Sequence, residues 1–200
     1  MAQGFTVWIT GLPGCGKSEI AARLEEILLE RGADAERLDE SQIRQNWLPS
    51  LGYGRAEQDG LTRFLGHVCH LLTRNGVLAV AAAVSASREV RNELRGLIGR
   101  FVEVHVKCPV EVCRKKDKTG RYDQALQGKL TNFVGVDIPY EEPLHPEIVL
   151  EPGEEDPDIG ARKIIRTLEV LEWIPRVAGS DYNAEDEEKI TKRLKDLGYL

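Results

Sequence analysis

The chain has 200 residues, 42% hydrophobic and 30% charged, with a formal net charge of −6. That length supports one domain with a sizeable core and is cramped for two, while the acidic balance excludes a general nucleic-acid binder but not a local basic pocket for a small anion. No apolar run approaches the ~20 residues that span a membrane, and the opening MAQGFTVWIT lacks the charged start and cleavage site of a signal peptide, so the expected location is the cytoplasm.

Residues 5–10 (FTVWIT) are an apolar, β-rich run expected as a buried strand. A glycine-rich segment follows at once. The spacing of Ile20, Leu24, Ile27 and Leu28 predicts a helix over 17–31, stopped by Gly32. Residues 34–38 are a weak strand leading to Leu38-Asp39. Pro49, Gly52, Gly54 and Gly60 make 41–60 a short helix and then loop. Leu61, Phe64, Leu65, Val68, Leu71 and Leu72 predict a helix over 61–74, ended by Asn75-Gly76. Residues 77–84 (VLAVAAAV) read as a central parallel strand, 88–97 as a charged helix and 101–106 (FVEVHV) as another strand.

Residues 111–145 are polar with few strong periodicities; a stretch this long inside a compact domain is a lid or binding segment. Residues 147–150 (EIVL) are a last short strand. Asp158 is expected to cap a helix carrying Ile164, Ile165, Leu168 and Leu171, and Trp173-Ile174-Pro175 closes the domain. Beyond Ala178, Asn183 is expected to cap a short helix with Ile190, Leu194 and Leu197 on one face, ended by Gly198; packing on its own domain is the simpler reading and docking to a partner the other. Strands alternating with helices define an α/β fold, a P-loop NTPase-like parallel sheet with helices on both faces. The expected organisation is a kinase domain over 1–176, with a lid at about 111–145, and a helical tail over 177–200.

The chemistry starts at Gly11-Leu12-Pro13-Gly14-Cys15-Gly16-Lys17-Ser18, which matches GxxxxGK[ST] between a strand and an amphipathic helix. Glycines let the backbone curl so that N–H groups point at phosphate oxygens, and the helix start adds its positive dipole end. Gly11, Pro13, Gly14, Cys15, Gly16, Lys17 and Ser18 are the expected nucleoside triphosphate site, ATP being the favoured donor. Lys17 reaches the β- and γ-phosphates and the Ser18 hydroxyl can ligate Mg²⁺. The 77–84 strand runs into Ser85-Ala86-Ser87-Arg88 rather than an acidic residue, which points away from a motor or switch and toward a small-molecule kinase.

Asp39 follows a strand near the loop, where a carboxylate can accept a hydroxyl proton or orient an Mg²⁺-bound water; capping a helix is its plainer role. Cys15, Cys69, Cys108 and Cys113 form no CxxC pair, so neither zinc nor redox motif is indicated. Cys15 at a helix start could be activated, but a small residue is all that position needs. His67 and His70 lack a third ligand at helical spacing and read as a surface pair, and the acidic run 151–158 reads as a solvated loop.

Beyond the loop, the chain resembles the adenylylsulfate (APS) kinase family over about residues 5–172. The resemblance is carried by VWITGLPGCGKS; Leu38-Asp39 through Ile43-Arg44; Leu51-Gly52-Tyr53; Ser85 with Arg88 and Arg91; residues 101–104 leading to 109–113; and above all Asn132-Phe133-Val134-Gly135-Val136-Asp137 with Pro139-Tyr140-Glu141, followed by 146–150. It implies transfer of the ATP γ-phosphoryl to the 3′-hydroxyl of APS, giving PAPS, with Lys17 and Asp39 catalytic and Ser18 and Asp39 toward magnesium. It implies that Arg44 meets the acceptor's anionic end, Tyr53 and Phe133 clamp its adenine, Ser85 and Arg88 line its site, and Lys and Arg residues of 114–129 close over the phosphoryl. The implied partners are small-molecule nucleotides, with neither nucleic acid nor membrane, and members of the family often pair as homodimers.

The sequence departs from the family at the acceptor side. Leu38-Asp39-Glu40-Ser41-Gln42-Ile43-Arg44 stands where Leu-Asp-Gly-Asp-Asn-x-Arg is usual, Ala86 replaces a proline, Gln58 falls near a usual arginine, and Tyr122-Asp123-Gln124 replaces Tyr-Lys-Lys. These changes leave open a kinase of another nucleotide or small hydroxyl acceptor, and a nucleotide-binding regulatory module. The intact loop and the Phe133 block favour an active APS kinase.

Overall fold

A computed structural model describes residues 3–151, 156–177 and 184–200. A five-stranded parallel sheet in the order β2-β3-β1-β4-β5 organises it. Its strands are β1 (Thr6–Thr10), β2 (Ala35–Asp39), β3 (Leu78–Ala82), β4 (Phe101–Val106) and β5 (Ile148–Leu150). The helices are α1 (Lys17–Glu30), α2 (Glu40–Trp47), α3 (Arg55–Arg74), α4 (Arg88–Ile98), α5 (Val110–Lys116), α6 (Arg121–Leu126), α7 (Pro157–Val170) and α8 (Ala184–Asp196).

Period-two alternation splits the central strand between two cores. Phe5, Val7 and Ile9 are buried with Leu24 and Leu28 of α1 and Ile164 and Leu168 of α7. Trp8 is buried on the other face with Leu61 and Leu65 of α3, Leu94 of α4 and Phe101. Helices therefore cover both faces, which is why β1, β3 and β4 are buried at every position rather than alternating.

Three expectations are corrected. Helix α3 begins at Arg55, six residues before Leu61, because Gly54 is extended and serves as its N-cap. The segment after residue 110 contains α5 and α6, not only irregular lid. The cap of α7 is Asp156, whose side chain accepts the Asp158 N–H at 3.1 Å; Pro157 at the first helical position suits its fixed φ. Asp158 instead pairs with Arg23 at 2.6 Å. Asn183 and residues 152–155 of the acidic run lie outside the described residues.

Helix α8 packs back on its own domain. Leu194 is buried, Arg193 donates to the Pro146 carbonyl at 2.9 Å, and the Tyr199 hydroxyl donates to Glu147 at 2.8 Å. Trp173 packs on Phe5 with ring centroids 5.4 Å apart. Among the described residues no helix is long and apolar enough to cross a membrane.

Candidate active site

The phosphate loop joins the end of β1 to the start of α1, at the carboxyl edge of the sheet where parallel α/β folds bind ligands. Gly11 sits at φ 154°, and a Cβ there would lie 2.6 Å from the Val106 carbonyl oxygen and 2.9 Å from the Cys15 sulfur, so glycine alone lets the loop approach β4. Lys17 is buried, and its ammonium donates to the carbonyls of Gly11 at 3.1 Å and Leu12 at 2.8 Å. That cation lies on the inside of the loop, where phosphate oxygens would offer it a stronger partner. Ser18 follows it, half-buried, in the first turn of α1.

Cys15 is fully buried. Burial pushes its thiol above the ordinary value, with the Lys17 charge opposing, so it serves as a small packing residue and not as an activated thiolate. Burial likewise pushes Cys69 and Cys113 up to about 12. The rings of His67 and His70 lie 6.4 Å apart, and the described residues contain no cluster of three or more His, Cys, Asp or Glu side chains suited to a metal.

Asp39 ends β2 and is buried. It lies opposite Ala82 of β3, which lies opposite Ile9 of β1, so it stands level with the loop and two strands away, about 10 Å at the usual strand spacing. One carboxylate oxygen caps α2, accepting from the N–H groups of Ser41 at 2.9 Å and Gln42 at 3.1 Å. The other is buried with no hydrogen-bond partner. The capping role is thus real, and it still leaves one oxygen available. An orphaned buried carboxylate oxygen is costly, and a metal-bound water or acceptor hydroxyl would satisfy it. Glu40, next in sequence, accepts the Val84 N–H at 2.7 Å and ties α2 to the end of β3.

Arg44 is buried on α2. One of its terminal nitrogens (Nη1) donates to the carbonyls of Leu51 at 3.1 Å and Gly52 at 2.9 Å. The other (Nη2) makes no hydrogen bond and lies 3.8 Å from Glu40. The guanidinium stacks 4.4 Å from the Tyr53 ring centre. Across the cleft, Phe133 is buried and meets the Tyr122 ring edge-on, with centroids 4.8 Å apart at 79°. Asp137 builds the Phe133 turn by accepting the N–H groups of Asn132 and Phe133. Gly135 completes it at φ 93°; a Cβ there would lie 2.9 Å from Leu12 of the loop. The Tyr122 hydroxyl donates to the Pro13 carbonyl at 2.8 Å, so α6 and the Phe133 turn both rest on the phosphate loop.

Ser85 and Arg88 are each fixed by hydrogen bonds at the end of β3 and the start of α4. The Ser85 hydroxyl accepts from the Trp8 indole at 3.0 Å and donates to Thr10 at 2.9 Å, with its backbone at φ 39°. The Arg88 guanidinium donates to the Glu142 carbonyl at 3.1 and 2.9 Å. Arg91, buried between them, donates to Glu103 at 2.7 Å and to the carbonyls of Ser85 and Glu141. The Arg88 N–H and the Arg55 guanidinium hold the Glu141 carboxyl below its ordinary pKa. These contacts tie the end of β3 and the start of α4 to residues 141–142.

Several contributors escape sequence reasoning. Gln58 donates to the carbonyls of Tyr53 and Asn132, at 2.5 and 3.2 Å, and so fastens the two ring-bearing segments together. Arg121 lies over both rings. Thr10 joins the loop to Tyr140 at 3.0 Å. The Asn132…Asp137 spacing hints at the side-chain-capped turn; Gln58 shows in the sequence only as a departure from the family pattern, and Arg121 only as one basic residue of the 114–129 segment.

A parallel sheet opening on a phosphate loop, with a carboxylate two strands away and a cationic, aromatic cleft beside it, defines a P-loop small-molecule kinase. Residues 3–151 match the adenylylsulphate kinase family. The adenylyl-sulfate kinase of Rippkaea orientalis is 42% identical over 174 residues, 87% of this chain and 96% of that protein. That of Microcystis aeruginosa is 40% identical over 198 residues, 99% of this chain and 95% of the other. The structure of the Mycobacterium tuberculosis APS kinase in complex with AMPPNP and APS superposes with a TM-score of 0.79 at 36% identity, covering 84% of this chain and 99% of that one. The chain belongs to the adenylylsulfate kinase family.

Proposed function

We propose that this protein transfers the γ-phosphoryl of ATP to the 3′-hydroxyl of APS, giving PAPS and ADP, in the cytoplasm and as the activation step of sulfate assimilation. One observation carries the reading: Arg44, Tyr53 and Phe133 are gathered beside the phosphate loop, a cation for an anionic group and two aromatic rings for a base. The loop holds the donor's phosphates through its N–H groups and Lys17. Arg44 turns an unsatisfied N–H group toward the acceptor's phosphosulfate, and Phe133 stacks its adenine. The kinase domain spans 1–176, with 111–145 as lid and 177–200 as a helical tail; a homodimer is the assembly to look for. Phosphorylation of APS by the purified chain with Mg-ATP is the expected result, and ATP binding without PAPS would overturn the reading.

Magnesium suits the donor set. It takes one or two protein oxygens plus phosphates and waters rather than an all-protein cage; Ser18 would supply the protein oxygen, and the unpartnered Asp39 oxygen would accept from a metal-bound water. When bound it neutralises charge on the phosphates. Asp39→Asn is expected to lower turnover about 100-fold with little change in ATP affinity, because asparagine still caps α2. Equal losses in turnover and ATP affinity, measured by kinetics and titration, would make Asp39 purely structural. Phe133→Leu keeps apolar bulk without the flat face. It is expected to raise the KM for APS by about tenfold, the scale of one base stack, while the KM for ATP stays near wild type; an unchanged KM for APS would remove the clamp.

A further inference from the structure

A cation lies where the acceptor's base is expected. Arg121, the first residue of α6, is half-buried. Its guanidinium carbon is 5.0 Å from the Tyr53 ring centre and 5.3 Å from that of Phe133. Among the described residues it pairs with no carboxylate, whereas its neighbour Arg114 is paired with Asp123 at 2.6 Å. The backbone beneath it is fixed. Asp117 accepts the N–H groups of Thr119 and Tyr122, each at 2.9 Å, and Tyr122 is fastened to Pro13. The side chain thus reaches over the rings from an anchored turn beside the phosphate loop.

A guanidinium is planar and weakly hydrated, and it stacks on an aromatic face much as a purine does. Cation and base therefore compete for the same two rings. We propose that Arg121 sets the specificity of the acceptor slot. It rests on Tyr53 and Phe133 until an adenine displaces it, and then pairs with an anionic group of the bound nucleotides. A neutral nucleoside displaces the cation and returns no ion pair, so the slot favours anionic nucleotides over nucleosides. This inference rests on the acceptor reading above.

The test is calorimetric titration of the full chain with adenosine and, separately, with APS, for wild type, Arg121→Ala and Arg121→Lys. Two cation–π contacts correspond to about five- to thirtyfold in affinity. Arg121→Ala is expected to bind adenosine about fivefold or more tighter and APS more weakly, so that the preference for APS over adenosine falls at least about tenfold. Arg121→Lys keeps the charge and recovers part of the APS affinity. An unchanged preference in Arg121→Ala, in protein that melts as wild type does, overturns the proposal, as does weaker adenosine binding. A wild-type chain that binds adenosine but not APS would instead strike the acceptor reading itself, and the adenosine titrations would still show whether Arg121 covers the rings.

Discussion

Replacing Lys17 with alanine is expected to lower phosphoryl transfer by about a thousandfold or more, the scale seen when a group aimed at transition-state charge is removed. The ammonium is buried inside the loop, and its hydrogen bonds go to two carbonyls of that loop. A γ-phosphoryl in transfer spreads negative charge over its oxygens, which a cation inside the loop offsets. The stability cost is expected to be modest, about 1.5–3 kcal/mol, the scale of a hydrogen bond to a charged group, because the loop's shape is set by its glycines, the Gly11–Val106 approach and the Tyr122–Pro13 hydrogen bond. Steady-state turnover alongside thermal melting separates the two effects. Turnover within tenfold of wild type would show that Lys17 does not serve the phosphates.

Arg91→Leu is expected to destabilise the fold by about 3–5 kcal/mol, the cost of removing one partner from a buried ion pair. That is a large part of a typical 5–15 kcal/mol total, and corresponds to roughly 10 °C in Tm for a chain of this size. Arg91 is 1% exposed and Glu103 6%. With Arg91 gone, Glu103 keeps Arg95 at 3.4 Å and the Ser85 and Glu141 carbonyls lose their donor. Because the first of those carbonyls belongs to Ser85, expected to line the acceptor site, the KM for APS is expected to rise in whatever folded protein remains. The double variant Arg91→Leu/Glu103→Leu removes the stranded charge and is expected to recover part of the stability. Urea denaturation measures both, and a loss below about 1 kcal/mol for the single variant would contradict the account.

The sheet was legible because its inner strands are buried on both faces and rich in apolar and β-branched residues, β3 as an unbroken apolar run; β4 matches the expected 101–106 residue for residue. The edges of elements were less so. Gly54 and Gly60 mark loop by composition, yet Gly54 caps α3 and Gly60 faces solvent within it. Helices α5 and α6 bury only Cys113, and Tyr122 with Ala125, respectively, too few positions to set a period. Pro157 moved the α7 cap to Asp156, since a proline at the first helical position needs its cap just before it.

At the site, the loop was legible from one motif, because backbone geometry alone makes it a phosphate cradle. The acceptor side was not, because it is assembled from side chains far apart in sequence. Gln58 reaches Asn132 and Tyr122 reaches Pro13, while Arg121 was one basic residue among several until the fold laid it across Tyr53 and Phe133. The single Asp39 oxygen left unpartnered is likewise visible only once α2 has taken the other.

If the loop at 11–18 delivers phosphate to a 3′-hydroxyl on an adenine nucleotide held by Arg44, Tyr53 and Phe133, ADP release by the purified chain with Mg-ATP must depend on that hydroxyl, which the reaction with APS beside that with its 3′-deoxy analogue measures. Stoichiometric ADP and PAPS are expected with APS, and no acceptor-dependent ADP with the analogue. Equal ADP release with both, or none with APS while ATP binds, would contradict that transfer.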